Sequence, residues 1–235
     1  MLPFALKLHL DAVARCPLTE ESRQTCGEFG VIPNGWVTLA GWGNPVAKVA
    51  FVGINPRLGS LRARRNQIAQ TRHQVQLGES REECAERLAT AGFADDSHFE
   101  LHRSWLQHVR FELPDANIPP RLDEFAFFTE SAFCASAGQP DEFVTVRCFS
   151  AHTRQLLLDF DFRVLVAVGS QPLARILGEP VKGFHGESWK LPDGRLLVGS
   201  FQPADALQRP QWQHLDPLAP AKRLVELHRG GTLLI

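Results

Sequence analysis

The run Ala47-Lys48-Val49-Ala50-Phe51-Val52 ends in the turn Gly53-Ile54-Asn55-Pro56, and no other segment of the chain limits its fold as strongly. With Lys48 as its sole charge, this run reads as a strand covered on both faces, as strands are inside a parallel sheet. Three further runs share the pattern: Glu124 to Thr129, Arg163 to Val168, and Arg195 to Phe201. Between and after them lie helix-like segments: Ser80 to Ala91, Ala151 to Phe160, Gln171 to Leu177, and Ala219 to Arg229. Ser80 with Glu83 makes a capping box, and Gly92 a stop. Strands alternating with helices predict an α/β fold, a three-layer α/β/α sandwich around a central, mostly parallel four-stranded sheet. At 235 residues the chain suffices for one such domain, spanning 1–235.

Ligands of these sheets bind at the carboxyl ends of the strands. There the chain carries Asn55-Pro56-Arg57, Glu130-Ser131, Gly169-Ser170-Gln171 and Gln202-Pro203-Ala204-Asp205, so polar residues converge on one edge. The net charge is −1, which gives no general attraction for a polyanion. A local one exists: Arg57, Arg62, Arg64 and Arg65 follow the first turn directly, with Arg72 and His73 close behind. A solvated arginine-rich loop is the other reading of that cluster. Residues Met1 to Val13 lack the continuous apolar stretch of a signal peptide, and no span approaches the ~20 apolar residues of a membrane helix. The expectation is a soluble, cytoplasmic protein with no membrane partner and no obligate protein partner. Five cysteines, an odd count, argue against a disulfide framework and leave reduced thiols or a metal site.

Five ordered segments resemble the uracil-DNA glycosylase superfamily, and its iron-sulfur branch in particular. Val49 to Pro56 resembles the strand ending in Gly-x-(Asp, Asn, Glu or Ala)-Pro, and Gly41-Trp42-Gly43-Asn44-Pro45 the approach to it. Phe128-Thr129-Glu130-Ser131-Ala132-Phe133-Cys134 resembles the strand and cysteine beside the base pocket. Val164 to Gly169 is similar to the next strand, followed by a short helix ending near Leu177-Gly178. Ser200-Phe201-Gln202-Pro203-Ala204 stands in the place of the His-Pro-Ser motif. The departures are Arg57 for a small residue, Gln202 for histidine, Ala204 for serine, and Glu130 where asparagine is frequent. Between Arg57 and Gly92 there is no Phe, Trp or Tyr to stack on a base, and His73 is the available ring.

The resemblance implies hydrolysis of an N-glycosidic bond in DNA, with a flipped base, a positioned water and a stabilised leaving anion. Asn55 would hold the water through its amide oxygen, and Gln202 would donate to the base carbonyl. Gly53, Ile54, Glu130 and His73 would bind the base. A carboxylate at Glu130 accepts from N3 of uracil but opposes O4 unless protonated, and a charged one favours a base with amino donors. Arg57, Arg62, Arg64, Arg65 and Arg209 would contact DNA, with Leu207 filling the space of the flipped nucleotide. Asn55 as a turn cap, Gln202 as a polar loop residue and Glu130 as a salt-bridged carboxylate are the competing readings. Lys48 starts its strand, and Lys182 and Lys190 fall in a loop, so no lysine is placed for a lyase step and the enzyme would be monofunctional. A glycosylase-fold protein that binds DNA with little or no catalysis is the alternative. Cys16, Cys26, Cys134 and Cys148 are the candidate ligands of a [4Fe-4S] cluster, with Val13 where relatives have a further cysteine; decay to buried small hydrophobes is the competing reading.

Overall fold

The structure, a computed structural model, describes residues 4–14, 16, 41–54, 99–132, 142–201 and 214–233. Helix α1 spans Phe4–Ala14, β1 Trp42–Gly43, β2 Val49–Gly53, α2 Glu100–Glu112, α3 Leu122–Phe125 and β3 Ala126–Glu130. Then come α4 over Glu142–Cys148, a π-helical turn over Phe149–Thr153, and α5 over Arg154–Asp159. The rest is β4 over Val164–Val168, α6 over Ser170–Leu177, β5 over Ser188–Lys190, β6 over Leu196–Ser200 and α7 over Ala219–Arg229.

The fold is α/β, but the sheet is six-stranded and mixed, in the order β1-β3-β2-β4-β6-β5. This corrects the four-stranded expectation at both edges. The four inner strands are those expected, and they run parallel, with Val49 opposite Ala126 and Val164, and Val164 opposite Leu196. The edge strands β1 and β5 pair antiparallel with β3 and β6. Two and three residues long, they are too short to leave an alternation that can be read from sequence. Lys190 accordingly ends a strand rather than lying in a loop. The third strand also starts two residues later than expected: the amides of Glu124 and Phe125 both bond to the Arg121 carbonyl and wind that stretch into α3.

Period-two alternation divides the inner strands between two cores. On one face Val49, Phe51, Val164, Val166 and Val198 pack with Trp105, Leu106 and Val109 of α2 and Leu224 and Val225 of α7. The opposite face joins Ala50, Val52, Leu165, Ala167 and Leu197 to Leu6 of α1, Leu156 and Leu157 around α5, and Leu173 of α6. Each large side chain buried this way contributes about 1.5–3 kcal/mol. A stack of rings crosses β1, β3 and β2, with Trp42 parallel to Phe128 at 4.2 Å and Phe128 parallel to Phe51 at 4.8 Å. Trp105 closes it from α2 and donates its indole N–H to the Pro217 carbonyl at 2.7 Å. Helix α2 is an addition to the expected elements; its signal is Leu101, Trp105, Leu106 and Val109 at helical spacing among charged residues.

Candidate functional site

Because β3, β2, β4 and β6 are parallel and in register, their carboxyl ends share one edge. At β2 the ladder continues past the strand: Ser131 N–H donates to Gly53 O at 2.8 Å and Ala132 N–H to Ile54 O at 2.9 Å. The backbone is thereby fixed as far as the residue before Asn55. Ile54 is buried, with its side chain against Gly169 at the end of β4. It forms a wall between two strand ends. Gly53 is opposite Glu130, and a Cβ on Gly53 would collide with the Glu130 carboxylate. Glycine is needed here for close approach rather than for its torsion angles.

A second element fixes Glu130 from below. The Thr153 hydroxyl, fully buried, donates to the Glu130 carbonyl at 2.8 Å. Thr153 closes the π-helical turn, and such turns in otherwise α-helical segments frequently mark functional sites. The turn also explains why the helix expected over Ala151 to Phe160 begins nine residues earlier, at Glu142. Its wider winding breaks the 3.6-residue period in mid-element. Thr153→Val keeps the shape and removes the donor, so it should lower stability by about 1 kcal/mol. A urea midpoint indistinguishable from the parent protein would show that this bond holds nothing in place.

Two buried polar atoms that follow inner strands at this carboxyl edge have no hydrogen-bond partner among the described residues: Ser131 Oγ after β3 and Gln171 Oε1 at the start of α6. Burying such an atom unpaired costs roughly 1–3 kcal/mol. Their signal in the sequence was position alone, each directly following a strand. Lys48 sits at the opposite edge, with Nζ 2.6 Å from an Asp161 carboxylate oxygen. A cavity of about 510 Å³ lined by Arg154, Arg175, Arg195, Leu157 and Leu165 also opens at that amino edge, away from the strand ends.

Of the cluster candidates, Cys16 and Cys148 are described. Helix α1 packs on the π turn and α5 through Leu6 and a 2.9 Å contact from His9 Nε2 to Asp159. That seating brings buried Cys16 to His152, whose Nε2 is 3.0 Å from Cys16 Sγ. His152 is one helical turn beyond Cys148, which packs against Ala132 and Val144. Burial, and secondarily His9, keep the His152 imidazole below its ordinary pKa, so it is neutral and has one N–H. Aimed at Cys16, that N–H suits a thiolate ligand; the reverse bond, from S–H to nitrogen, suits a protonated thiol. The contact is thus compatible with a thiolate-bound metal group and equally with a free thiol. Among the described residues no three His, Cys, Asp or Glu side chains come together as a metal site.

Asn55, Arg57, Arg62, Arg64, Arg65, His73, Gln202, Leu207 and Arg209 lie outside the described residues, as do Cys26, Cys134 and the expected helix over Ser80 to Ala91. So the structure brings together Gly53, Ile54 and Glu130 from the expected set. It adds Ser131, Thr153 and Gln171. Among the described residues no helix is long and apolar enough to cross a membrane. No protein-family model matches the chain, and no curated protein matches it.

Proposed function

We propose that this protein is a DNA glycosylase of the uracil-DNA glycosylase superfamily type, hydrolysing the N-glycosidic bond of uracil or another deaminated base. The observation that carries the reading is the carboxyl edge at Gly53. A carboxylate is pressed against the backbone of the first motif, and at the same carboxyl edge Ser131 Oγ after β3 and Gln171 Oε1 at the start of α6 are buried without a hydrogen-bond partner among the described residues. Buried polar atoms without partners are kept where a ligand has use for them. A flipped base presents N–H and carbonyl groups that match such atoms.

In this reading the base enters beside Ile54, with its edge toward Glu130. Asn55 holds the attacking water, and Gln202 donates to the carbonyl on which negative charge develops. Bond cleavage runs ahead of water attack through an oxocarbenium-like sugar, so an asparagine that only positions water suffices. Lys48, held by Asp161 at the other edge, supports a monofunctional hydrolase with no lyase step. Arg57, Arg62, Arg64, Arg65 and Arg209 bind phosphate, and Leu207 takes the place of the extruded nucleotide. Cys16 and Cys148, with Cys26 and Cys134, would hold a [4Fe-4S] cluster that staples α1 to the π turn. When bound, such a group supplies structure to the residues behind Glu130.

The test is incubation with end-labelled oligonucleotides carrying uracil, hypoxanthine or xanthine, followed by alkali. Strand breaks at one of these bases are the expected result. Salt-sensitive binding with no breaks at any base would replace this reading by a DNA-binding protein of glycosylase fold.

A further inference from the structure

Residues 202–213 connect β6 to the segment before α7, and the described chain resumes at His214. His185 touches both flanks of that connection. Its Nδ1 accepts the backbone N–H of Phe201 at 3.2 Å, and its Nε2 lies 2.8 Å from the carbonyl oxygen of Asp216. A backbone N–H only donates and a carbonyl only accepts, so the two partners dictate the tautomer: hydrogen on Nε2 and a lone pair on Nδ1. The ring also stacks on Phe201, with centroids 4.9 Å apart and planes 22° from parallel.

The turn carrying His185 is itself locked to β6. Gly186 N–H donates to Gly199 O at 2.9 Å, and Gly199 N–H donates to Glu187 O at 3.0 Å. The approach is so close that a Cβ on Gly199 would strike the Phe184 carbonyl. His185 is therefore held from behind, and the strand it serves ends at Ser200, two residues before Gln202.

We propose that His185 is a positioning residue: its neutral ring clamps Phe201 to the backbone of Asp216, fixes the entry to Gln202, and lets go when Nδ1 takes a proton. The link to Gln202 rests on the glycosylase reading; the clamp itself does not. Protonation puts an N–H against the Phe201 N–H and breaks that bond, while the Asp216 bond survives. Among the described residues the charged groups facing the ring are the Asp216 carboxylate and, through it, Lys222, whose Nζ is 2.7 Å from Asp216. Burial outweighs the Asp216 carbonyl and carboxylate and holds the His185 pKa below its ordinary 6.5. The fold thus favours the neutral ring. The clamp is complete above the ordinary value and is lost as pH falls below it through the lowered one.

Amide hydrogen exchange at Phe201, corrected for intrinsic rate, reads the clamp directly from about pH 7.5 down to about pH 4.5. Protection in the parent protein should fall by about tenfold across that range, the equivalent of one hydrogen bond. His185→Phe keeps a stacking ring without either bond and should be unprotected throughout. His185→Asn places an acceptor that does not titrate where Nδ1 was, and should restore protection and flatten its pH dependence. Base release should follow the same order, with His185→Phe about tenfold slower and His185→Asn recovering the rate at low pH. Equal Phe201 protection in the parent protein and His185→Phe would overturn the clamp, as would matching pH profiles for the parent protein and His185→Asn. A parent protein that releases no base defeats the glycosylase reading, and the exchange data still decide the clamp.

Discussion

Gly53→Ala is expected to slow base release by about 100-fold, the scale of a sub-ångström to 1 Å displacement at a reacting centre. Its cost in stability should be modest, because the atoms in the way are the far end of the flexible, half-buried Glu130 side chain, which can rotate aside. The methyl group has no free direction. Gly53 is on an inner strand, its carbonyl is held by the Ser131 amide, and its Cβ would fall on the Glu130 carboxylate. The backbone of Glu130 cannot retreat either, since Thr153 holds its carbonyl and β2 pairs along its whole strand. The carboxylate must swing away, and the distance it moves is lost to the base edge. The double variant Gly53→Ala with Glu130→Ala separates the two consequences, because it removes the collision while leaving no carboxylate. Its unfolding midpoint should return toward that of the parent protein while single-turnover base release stays slow. Recovery of both quantities together would show that Glu130 is a structural neighbour of Gly53 and reads nothing.

The sheet was legible because its inner strands are nearly continuous apolar runs, and burial on both faces leaves no other place for Val49 to Val52 or Val164 to Val168. What escaped the sequence falls into two kinds. The edge strands are held by partners rather than by pattern: Trp42 belongs to β1 because it stacks on Phe128, which a two-residue strand cannot announce. Helix α2 buries His102 beside Trp105, so a polar residue occupies part of its inward face and blurs the stripe. Site residues divide the same way. The placement of Gly53 and Glu130 side by side at the carboxyl edge was legible, since both end runs that read as inner parallel strands. Thr153 and His185 act from elements distant in the chain, on carbonyls and amides that any residue would supply, and neither carries a motif of its own. Ser131 and Gln171 differ again: what distinguishes them is a buried polar atom without a partner among the described residues, a property that exists only in three dimensions.

The second large effect concerns Asn55. Asn55→Ala should reduce single-turnover base release by about 100- to 1,000-fold, within the range for removing a group that positions or activates the attacking water. Affinity for the same oligonucleotide, measured by fluorescence anisotropy at fixed salt, should change little. The separation follows from what the residue is asked to do. The proposed phosphate contacts lie on Arg57, Arg62, Arg64, Arg65 and Arg209, which the substitution leaves in place. The backbone leading to residue 55 is held independently, by the Ala132 amide on Ile54 O and by the Ile54 side chain against Gly169. An amide oxygen accepts a hydrogen bond from water but takes no proton, so the parent rate should also be nearly flat with pH where a carboxylate base would titrate. Asn55→Asp then gives the converse: a group that can take the proton, with a faster rate above its own pKa and a new acidic limb below it. If Asn55→Ala retains the full rate, the water is held by another group. Ser131 and Gln171, at the same carboxyl edge and without a hydrogen-bond partner for these buried atoms among the described residues, are then the first two to replace.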